Sequence, residues 1–555
     1  MTETTADDLS RAAALLAEGR LDEAADAAAG HQDPRLLRIA AYVHQQQGRP
    51  EQAASDYEQV LRAFPDDWES ANNYGNVMMA LERFDAAAAA FQQAIRLRPD
   101  REEIVINLSE ALSRGERYAE RAAVMRTAAA IGHDDPVLQT ELGLAEASVY
   151  DYAAAERAFR EAIRLDPKGI SAYLELGLVL EVLNRTGDLA ALADDAEQAG
   201  LGEEAKFLRA WALRRQGRFQ EALAAAEAVP ATINPVQRAH LLAGLHDRLG
   251  HYPEAFAAFE EMNRASVAAS PPPPGLTYRD GVMARAAEVT AERIGGWIPV
   301  EIDTASPAPI FIVGFPRSGT TLLDTLLMNL PDLHVLEEQP VLRAVEAAIA
   351  PGADIGRAQS AEANQIRAYY FGTLARMSPV PQGSRVVDKH PLHMTRMPLI
   401  HRIFPDAKII LVERHPCDAV LSCFMANFNL NHAMRSFTDI EEAARTYDAV
   451  FDAWSRAEAL LPLHVHRIRY ERMVEDLEGE MRALLGFLGR DWDSAVLDNQ
   501  GSAAARGHVR TASYSQVGEP IYTRAAGRWE RYREQLAPVL PILAPWAERM
   551  GYGMG

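Results

Sequence analysis

A period of 34 residues runs through the first 265 residues and limits what this part of the chain can fold into. Pro65, Pro99 and Pro167 are one and two periods apart. Three other positions repeat in the same register: a glycine (Gly75, Gly143 and Gly177), an alanine (Ala53, Ala87 and Ala155) and an aromatic residue (Tyr57, Phe91 and Phe159). Small residues let two helices approach, the aromatic ring packs between them, and proline ends the second helix. The period therefore predicts a series of stacked helical hairpins.

These residue types at this period resemble the tetratricopeptide repeat. Four clear units lie between about residues 35 and 202, and the unit Glu102–Asp135 departs most from the pattern because Arg121 takes the small-residue position. Degenerate hairpins at 20–25, 217–222 and 250–255 bring the expected number to seven or eight. The resemblance implies a concave face that binds a protein or an extended peptide, and such arrays often mediate self-association into homo-oligomers.

The chain has 555 residues, too many for one hydrophobic core. Residues 268–275 include a run of prolines that cannot continue a helix, so this segment predicts a short, stiff spacer. We expect a helical repeat array over 1–267, a linker with one bridging helix over 268–306, and a second domain over 307–555.

Composition excludes several classes of protein. A formal net charge of −22 argues against general nucleic-acid binding, which depends on basic surfaces. The acidic N-terminus shows no signal peptide, and no stretch approaches the roughly 18 apolar residues of a membrane span. Two cysteines are too few for a disulfide framework or a thiolate metal site. We therefore expect a cytoplasmic protein without a membrane span and without a metal site.

Residues 309–321 have the frame of a phosphate-binding P-loop. An apolar strand, Ile310–Val313, precedes a loop bounded by Gly314 and Gly319, and a helix follows. Backbone N–H groups of such a loop and of the helix N-terminus bind anions. ATP- and GTP-binding loops place a lysine after the second glycine, where this chain has Thr320; the cation within the loop is Arg317.

The missing lysine favours sulfuryl transfer over phosphoryl transfer. Phosphoryl transfer uses the loop lysine and a Mg²⁺ held in part by a distant aspartate. The second apolar strand, Lys408–Val412, ends instead in Glu413 and Arg414. A transferred sulfuryl group carries less negative charge, so arginine and hydroxyl donors can stabilise it without a metal. Strands alternating with helical stretches predict an α/β domain with a central parallel sheet, which binds ligand at the carboxyl ends of its strands.

Several segments resemble the sulfotransferases that use 3′-phosphoadenosine 5′-phosphosulfate (PAPS), most closely those of the tyrosylprotein type. Residues 315–321 look like the 5′-phosphosulfate loop, and Arg414 with Ser422 has the spacing of the 3′-phosphate site. Residues 470–476, 484–489, 509–517 and 527–529 resemble further segments of the superfamily. The resemblance implies that these residues bind the co-substrate: Pro316, Arg317, Ser318, Gly319, Thr320, Thr321, Arg414, Ser422, Tyr470, Ser513, Arg528 and Trp529.

Two residues are candidates for the base that accepts the proton of the acceptor. Glu338 lies 21 residues after Arg317, an offset that matches the base of the tyrosylprotein enzymes, although Leu336 stands where they have glycine. His390 follows Lys389, and cytosolic sulfotransferases use a histidine near a lysine in a similar segment. The choice stays open, with Glu338 preferred. The resemblance makes Lys389 and Arg317 electrostatic stabilisers of the transferred group.

The sequence thus predicts two domains: an all-α tetratricopeptide solenoid and an α/β P-loop-type sulfotransferase domain. The predicted reaction moves a sulfuryl group from PAPS to a hydroxyl acceptor, with a tyrosine of a protein or peptide as one candidate. The alternative acceptors are a small metabolite, a glycan or a lipid, with the repeats as an interaction or oligomerisation scaffold. An ATP-dependent P-loop kinase and a non-catalytic scaffold are less favoured alternatives.

Overall fold

The computed structural model describes residues 3–31, 33–115, 117–272, 275–350, 352–499 and 526–554. The chain forms two compact units, Met1–Ala212 and Leu213–Gly555. The predicted domain limits at 267 and 307 stay predictions, and by packing the residues from 213 to 269 belong to the second unit. Among the described residues, no helix is long and apolar enough to cross a membrane.

Helices of the first unit follow one another as packed pairs, from α1 with α2 to α11 with α12. Their bounds are α1 (Glu3–Ala17), α2 (Leu21–Ala28), α3 (Pro34–Gln46), α4 (Pro50–Ala63), α5 (Trp68–Ala80), α6 (Phe84–Leu97), α7 (Glu102–Arg114), α8 (Tyr118–Ile131), α9 (Pro136–Ser148), α10 (Tyr152–Leu165), α11 (Ile170–Val182) and α12 (Thr186–Gln198). The next helix, α13 (Gly202–Arg215), contains the boundary between the units. The predicted helical array is therefore confirmed.

Two of the three repeated glycines, Gly75 and Gly143, pack against an aromatic residue of the same helix pair. A Cβ atom on Gly75 would lie 2.5 Å from Cε1 of Phe91, and Gly143 faces Phe159 in the same way. Both phenylalanine rings are fully buried. A larger residue than glycine would have to displace a ring that fills the space between two helices, which explains why the small and aromatic positions share one period.

The unit that departs from the pattern keeps its arginine inside. Arg121 is 8% exposed. Its Nε donates to Ser109 Oγ at 2.9 Å, and its Nη2 donates to Glu141 at 3.2 Å. A buried charge is tolerated when it is paired and hydrogen-bonded, so this repeat replaces close helix contact with a polar network.

Five helices precede the sheet in the second unit: α14 (Phe219–Glu227), α15 (Pro235–Leu249), α16 (Tyr252–Ala269), α17 (Tyr278–Ala287) and α18 (Ala291–Gly295). The prediction of one bridging helix after the spacer is wrong, because α17 and α18 are separate. Thr290 has an extended backbone, and its side chain accepts a hydrogen bond from the N–H of Arg293, so it caps a new helix instead of continuing the previous one.

A five-stranded, fully parallel sheet forms the centre of the second unit, as the sequence predicts. Its strands lie in the order β2-β3-β1-β4-β5. Their bounds are β1 (Ile310–Gly314), β2 (Leu333–Glu337), β3 (Arg385–Lys389), β4 (Lys408–Glu413) and β5 (His464–Arg469). All residues of β1 are buried, as expected for a central strand covered on both faces.

Helices on both faces complete this unit: α19 (Thr320–Leu327), α20 (Val341–Ala348), α21 (Ser360–Met377), α22 (Met397–Ile403), α23 (Pro416–Phe424), α24 (Ile440–Leu460), α25 (Tyr470–Glu475), α26 (Leu477–Leu488), α27 (Arg533–Leu536) and α28 (Leu540–Arg549). Short 3₁₀ segments lie at Ile355–Arg357, Pro391–Arg396, Met434–Phe437, Ser494–Leu497 and Arg528–Tyr532.

The order of the strands determines where a ligand site lies in this sheet. From β1 the chain first builds β2 and β3 on one side of the sheet and then β4 and β5 on the other. Ligands of open α/β sheets bind at such a switch point, outside the carboxyl ends of the strands. The residues that follow β1, β2, β3 and β4 therefore meet at one edge.

Candidate active site

The loop between β1 and α19 depends on both of its glycines. A Cβ on Gly314 would collide with the carbonyl oxygen of Val412 in the neighbouring strand. Gly319 has a φ of 101°, and a Cβ there would lie 2.6 Å from Cδ2 of Tyr470. Arg317 also has a left-handed backbone, with a φ of 67°, which is uncommon for a residue with a side chain. The backbone of the loop is therefore held in a conformation that few sequences allow.

The residues predicted for the two phosphate sites meet at this loop. Arg317 Nε donates to Ser422 Oγ at 3.2 Å, and Arg414 Nη1 donates to the carbonyl oxygen of Arg317 at 2.8 Å. The Arg414 guanidinium lies 4.8 Å from the ring centroid of Tyr470, a cation–π contact. Both arginines and Ser422 thus lie in one group, although about 100 residues separate Arg317 from the other two in the sequence.

Hydroxyl groups of the loop lie at the start of α19. Ser318, Thr320 and Thr321 are buried, and Thr320 is the first residue of the helix. Pro316 accepts a hydrogen bond from Cys423 Sγ at 3.3 Å, which fixes the loop on α23. The first N–H groups of a helix have no partner within the helix, so this end of α19 is suited to an anion.

Lys389, the last residue of β3, is surrounded by three carboxylates. Its Nζ lies 2.9 Å from Glu338 Oε1, 3.2 Å from Asp324 Oδ2 and 3.8 Å from Glu337 Oε1. The lysine side chain is fully buried. Burial acts to lower the pKa of Lys389, but the carboxylates, led by Glu338, outweigh it and raise the pKa, so the ammonium stays charged.

Glu338 follows β2 in a left-handed conformation, with a φ of 47°. Its backbone N–H donates to the carbonyl oxygen of Lys389 at 2.8 Å, and its side chain is 32% exposed. Burial acts to raise the pKa of the Glu338 carboxyl, but the positive charge of Lys389, with smaller contributions from His390 and Arg317, lowers it. The carboxylate is therefore ionised and partly exposed.

His390 lies beside the same lysine. Its N–H donates to the carbonyl oxygen of Ile312 in β1 at 3.2 Å, and its ring stacks on His393 with 4.3 Å between centroids. Burial lowers the pKa of His390 to about 4, so its imidazole is neutral near pH 7. The structure thus brings both candidate bases to Lys389, each in its unprotonated form.

The C-terminal motif reaches the site through a residue that the sequence analysis did not single out. Asp418, in the first turn of α23, accepts from the N–H of Gly527 at 2.7 Å and from the N–H of Trp529 at 2.8 Å. The Trp529 ring stacks on His415, 4.9 Å between centroids. Arg528 forms an ion pair with Asp247 at 2.8 Å. Ser513 lies outside the described residues.

Asp324 is a second residue that the sequence analysis missed. It is fully buried on α19 and forms the 3.2 Å contact with Lys389. A signal for it was present, because an acidic residue in the apolar run Leu322–Leu327 needs a buried partner. Only the fold shows that the partner is Lys389.

The described residues thus form an α/β domain in which Arg317 and Arg414 lie together at the loop that follows β1. Residues 309–494 match the sulfotransferase family, described as "Sulfotransferase family", and residues 40–102, 76–136 and 140–203 match the tetratricopeptide repeat. The chain therefore joins segments that match the tetratricopeptide repeat to a region that matches the sulfotransferase family.

Curated relatives match less than half of the chain. Protein-tyrosine sulfotransferase 1 of Danio rerio is 28% identical over 264 residues, which are 44% of this chain and 72% of that protein. The same-named human protein is 25% identical over 264 residues, 44% and 69% of the two chains. An uncharacterized protein of Aquifex aeolicus is 28% identical over 254 residues, 43% of this chain and only 32% of its own length.

Among solved structures, a tetratricopeptide repeat protein from Parabacteroides merdae aligns with part of this chain. It is 15% identical, covers 43% of this chain and 98% of its own, and has a TM-score of 0.33.

Proposed function

We propose that this chain transfers a sulfuryl group from PAPS to a hydroxyl acceptor, with a tyrosine of a protein or peptide as the preferred acceptor. The observation that carries the proposal is the 2.9 Å pair of Lys389 and Glu338 at the sheet edge where the loop of Arg317 lies. Similarity to protein-tyrosine sulfotransferases supports the choice of acceptor. The repeats are proposed to recruit a protein or peptide on their concave face.

The residues present fit the co-substrate. The backbone at Gly319, which has no room for a side chain, and the N-terminus of α19 would hold the 5′-phosphosulfate. Arg414, stacked on Tyr470, would hold the 3′-phosphate together with Ser422, because a guanidinium offers a planar fork to phosphate oxygens. PAPS supplies a sulfuryl group on a phosphate leaving group.

The charge of each side chain indicates its proposed chemical role. Glu338, ionised and 32% exposed, would accept the acceptor's hydroxyl proton on a carboxylate oxygen. Lys389 stays protonated within its carboxylates and would place positive charge where negative charge develops on the leaving oxygen. Arg317 would add a second cation on the side of the loop.

Both cysteines are free and buried, which agrees with a reducing compartment, and we place the enzyme in the cytoplasm.

Labelled PAPS tests the transfer itself. The full chain is incubated with it and with a mixture of protein, glycan and lipid acceptors, and the label is followed into each fraction. We expect label in protein, on tyrosine. Label only in glycan or lipid would show that the acceptor is not a protein tyrosine. Absence of transfer, together with tighter binding of ATP·Mg²⁺ than of adenosine 3′,5′-bisphosphate, would refute the proposed function.

Substitution separates the two candidate bases, which a pH profile cannot do. Glu338 has a lowered pKa and His390 a pKa of about 4, so either residue would be unprotonated above about pH 5. We expect Glu338→Gln to lower turnover by about 100-fold or more while nucleotide binding persists, and His390→Ala to have a small effect. Glu475→Gln, at an exposed position on α25, is the matched control. Near-normal turnover of Glu338→Gln would show that the assignment is wrong.

A further inference from the structure

The helical hairpin of α15 with α16, which precedes the sheet, holds the helix that carries Ser422. Asn263 of α16 is 4% exposed, and its Nδ2 donates to the carbonyl oxygen of Phe424 at 2.9 Å. The ring of Phe256 stacks on that of Phe424, with 4.9 Å between centroids. Because Phe424 is the last residue of α23, these contacts fix the C-terminal end of the helix.

The N-terminal end of α23 is held by a second chain of contacts, which also ends in this hairpin. Asp418 of α23 binds the N–H groups of Gly527 and Trp529. The 3₁₀ segment Arg528–Tyr532 follows at once, and both of its end residues bond to Asp247 of α15. Arg528 Nη2 lies 2.8 Å from Asp247 Oδ2, and the Tyr532 hydroxyl donates to Asp247 Oδ1 at 2.6 Å.

We propose that Asp247 is a positioning residue of the nucleotide site. Each of its two oxygens holds one end of the 3₁₀ segment, and this keeps the turn at Gly527 closed on Asp418. Asp418 lies in the first turn of α23, four residues after Arg414. The hairpin α15–α16 thereby fixes both ends of α23, the helix that follows Arg414 and carries Ser422. The proposal rests on the proposed function, since it concerns the same nucleotide site.

The ion pair gives Arg528 a different role from the one that family resemblance implies. Resemblance places a basic residue at this position against the nucleotide. In the structure its guanidinium binds Asp247, with 29% of the Arg528 side chain and 15% of the Asp247 side chain exposed. Arg528 then acts as the link through which Asp247 holds the turn, and the two interpretations predict different results for paired substitutions.

Binding of adenosine 3′,5′-bisphosphate to the full chain, measured by isothermal titration, tests the proposal. We expect Asp247→Asn to weaken binding about 10-fold, and to raise KM for PAPS without changing kcat at saturation. Asp247→Glu, which keeps the charge, should restore part of the affinity. Glu261→Gln removes the same charge from an exposed position on the same hairpin and should bind like the wild type. Wild-type affinity in Asp247→Asn would overturn the proposal.

A double-substitution cycle with Arg528→Gln distinguishes the two roles of the arginine. If Asp247 acts through Arg528, the double variant binds no more weakly than Arg528→Gln alone, whereas additive losses would overturn the proposal. If Asp247→Asn does not fold, amide hydrogen exchange is measured in Arg528→Gln instead. The Trp529 amide of this variant should exchange faster than in the wild type, and unchanged protection would overturn the proposal. A wild type that does not bind the nucleotide refutes the proposed function, while binding that is insensitive to Asp247 refutes only this inference.

Discussion

Asp388 should make the stability of the second unit depend on pH. It precedes Lys389 on β3, is fully buried, and accepts a hydrogen bond from the Tyr370 hydroxyl at 2.7 Å. Among the described residues its Oδ1 has no hydrogen-bond partner, and His393 Nδ1 lies 3.7 Å away. Burial raises the pKa of Asp388 from 3.8 to about 7, against the lowering effect of the Tyr370 hydroxyl.

The sign follows from proton binding. Between pH 4 and 7 the folded state keeps a proton on Asp388 that the unfolded state has released, so the free energy of unfolding falls as pH rises. The pKa of Asp388 in the folded state is about 7, and from pH 5 up to this value each pH unit lowers the free energy of unfolding by about 1.4 kcal/mol. By pH 8 the free energy of unfolding has therefore fallen by about 3 kcal/mol. His390 acts in the opposite direction, because its pKa of about 4 adds stability as pH rises toward 6.5.

Because these two effects oppose each other, the measurement is a difference between variants. Asp388→Asn keeps the shape and the acceptor for the Tyr370 hydroxyl but does not titrate. Urea unfolding is followed by fluorescence of the buried Trp454 and Trp529 at pH 5 and pH 8. The stability of the wild type relative to Asp388→Asn should fall by about 3 kcal/mol over this range. A relative stability that stays constant within about 0.5 kcal/mol, or that rises, would refute the argument.

Two glycine substitutions test the loop and the repeats. Gly319→Ala should weaken binding of adenosine 3′,5′-bisphosphate at least about 10-fold in a titration, because the new Cβ meets Tyr470 and the backbone is left-handed. Gly372→Ala is the control and should bind normally, because its Cβ would make only an ordinary 3.7 Å contact with Arg376. Gly75→Ala should destabilise the first unit by about 1–3 kcal/mol in urea unfolding, because its Cβ would displace a buried ring, whereas Gly244→Ala, with open space around it, should not destabilise its helix. If Gly319→Ala binds the nucleotide as tightly as its control, the packing argument for the loop is wrong. If Gly75→Ala loses no more stability than its control, the packing argument for the repeats is wrong.

Patterns within short stretches of sequence predicted much of the fold. The 34-residue period identified the helical pairs, and the apolar runs at 310–313 and 408–412 identified the two central strands. The strand Arg385–Lys389 was not predicted, because it is short and carries three charged residues. The edge strand His464–Arg469 has apolar residues at Val465 and Ile468, three positions apart, so it lacks the alternation typical of a strand and was also not predicted.

The site was predicted where it follows a local motif and missed where it depends on distant partners. Arg317, Lys389 and Arg414 each stand in or beside a recognisable segment. Asp324 and Asp418 do not, since their roles come from Lys389 and from the N–H groups near residue 527. A buried carboxylate needs a partner, but the sequence does not say which residue the fold will bring to it.

The position of the unit boundary determines which part of this chain can change in length. Each pair of helices before residue 213 packs on its sequence neighbours, so a 34-residue unit can be added or removed there while the sheet unit keeps every contact of its own. The hairpin α15–α16 lacks that freedom, because Asn263 bonds to the end of α23 and Asp247 bonds to Arg528. Variants with different numbers of repeats should therefore keep the sheet unit intact provided that they end in this hairpin.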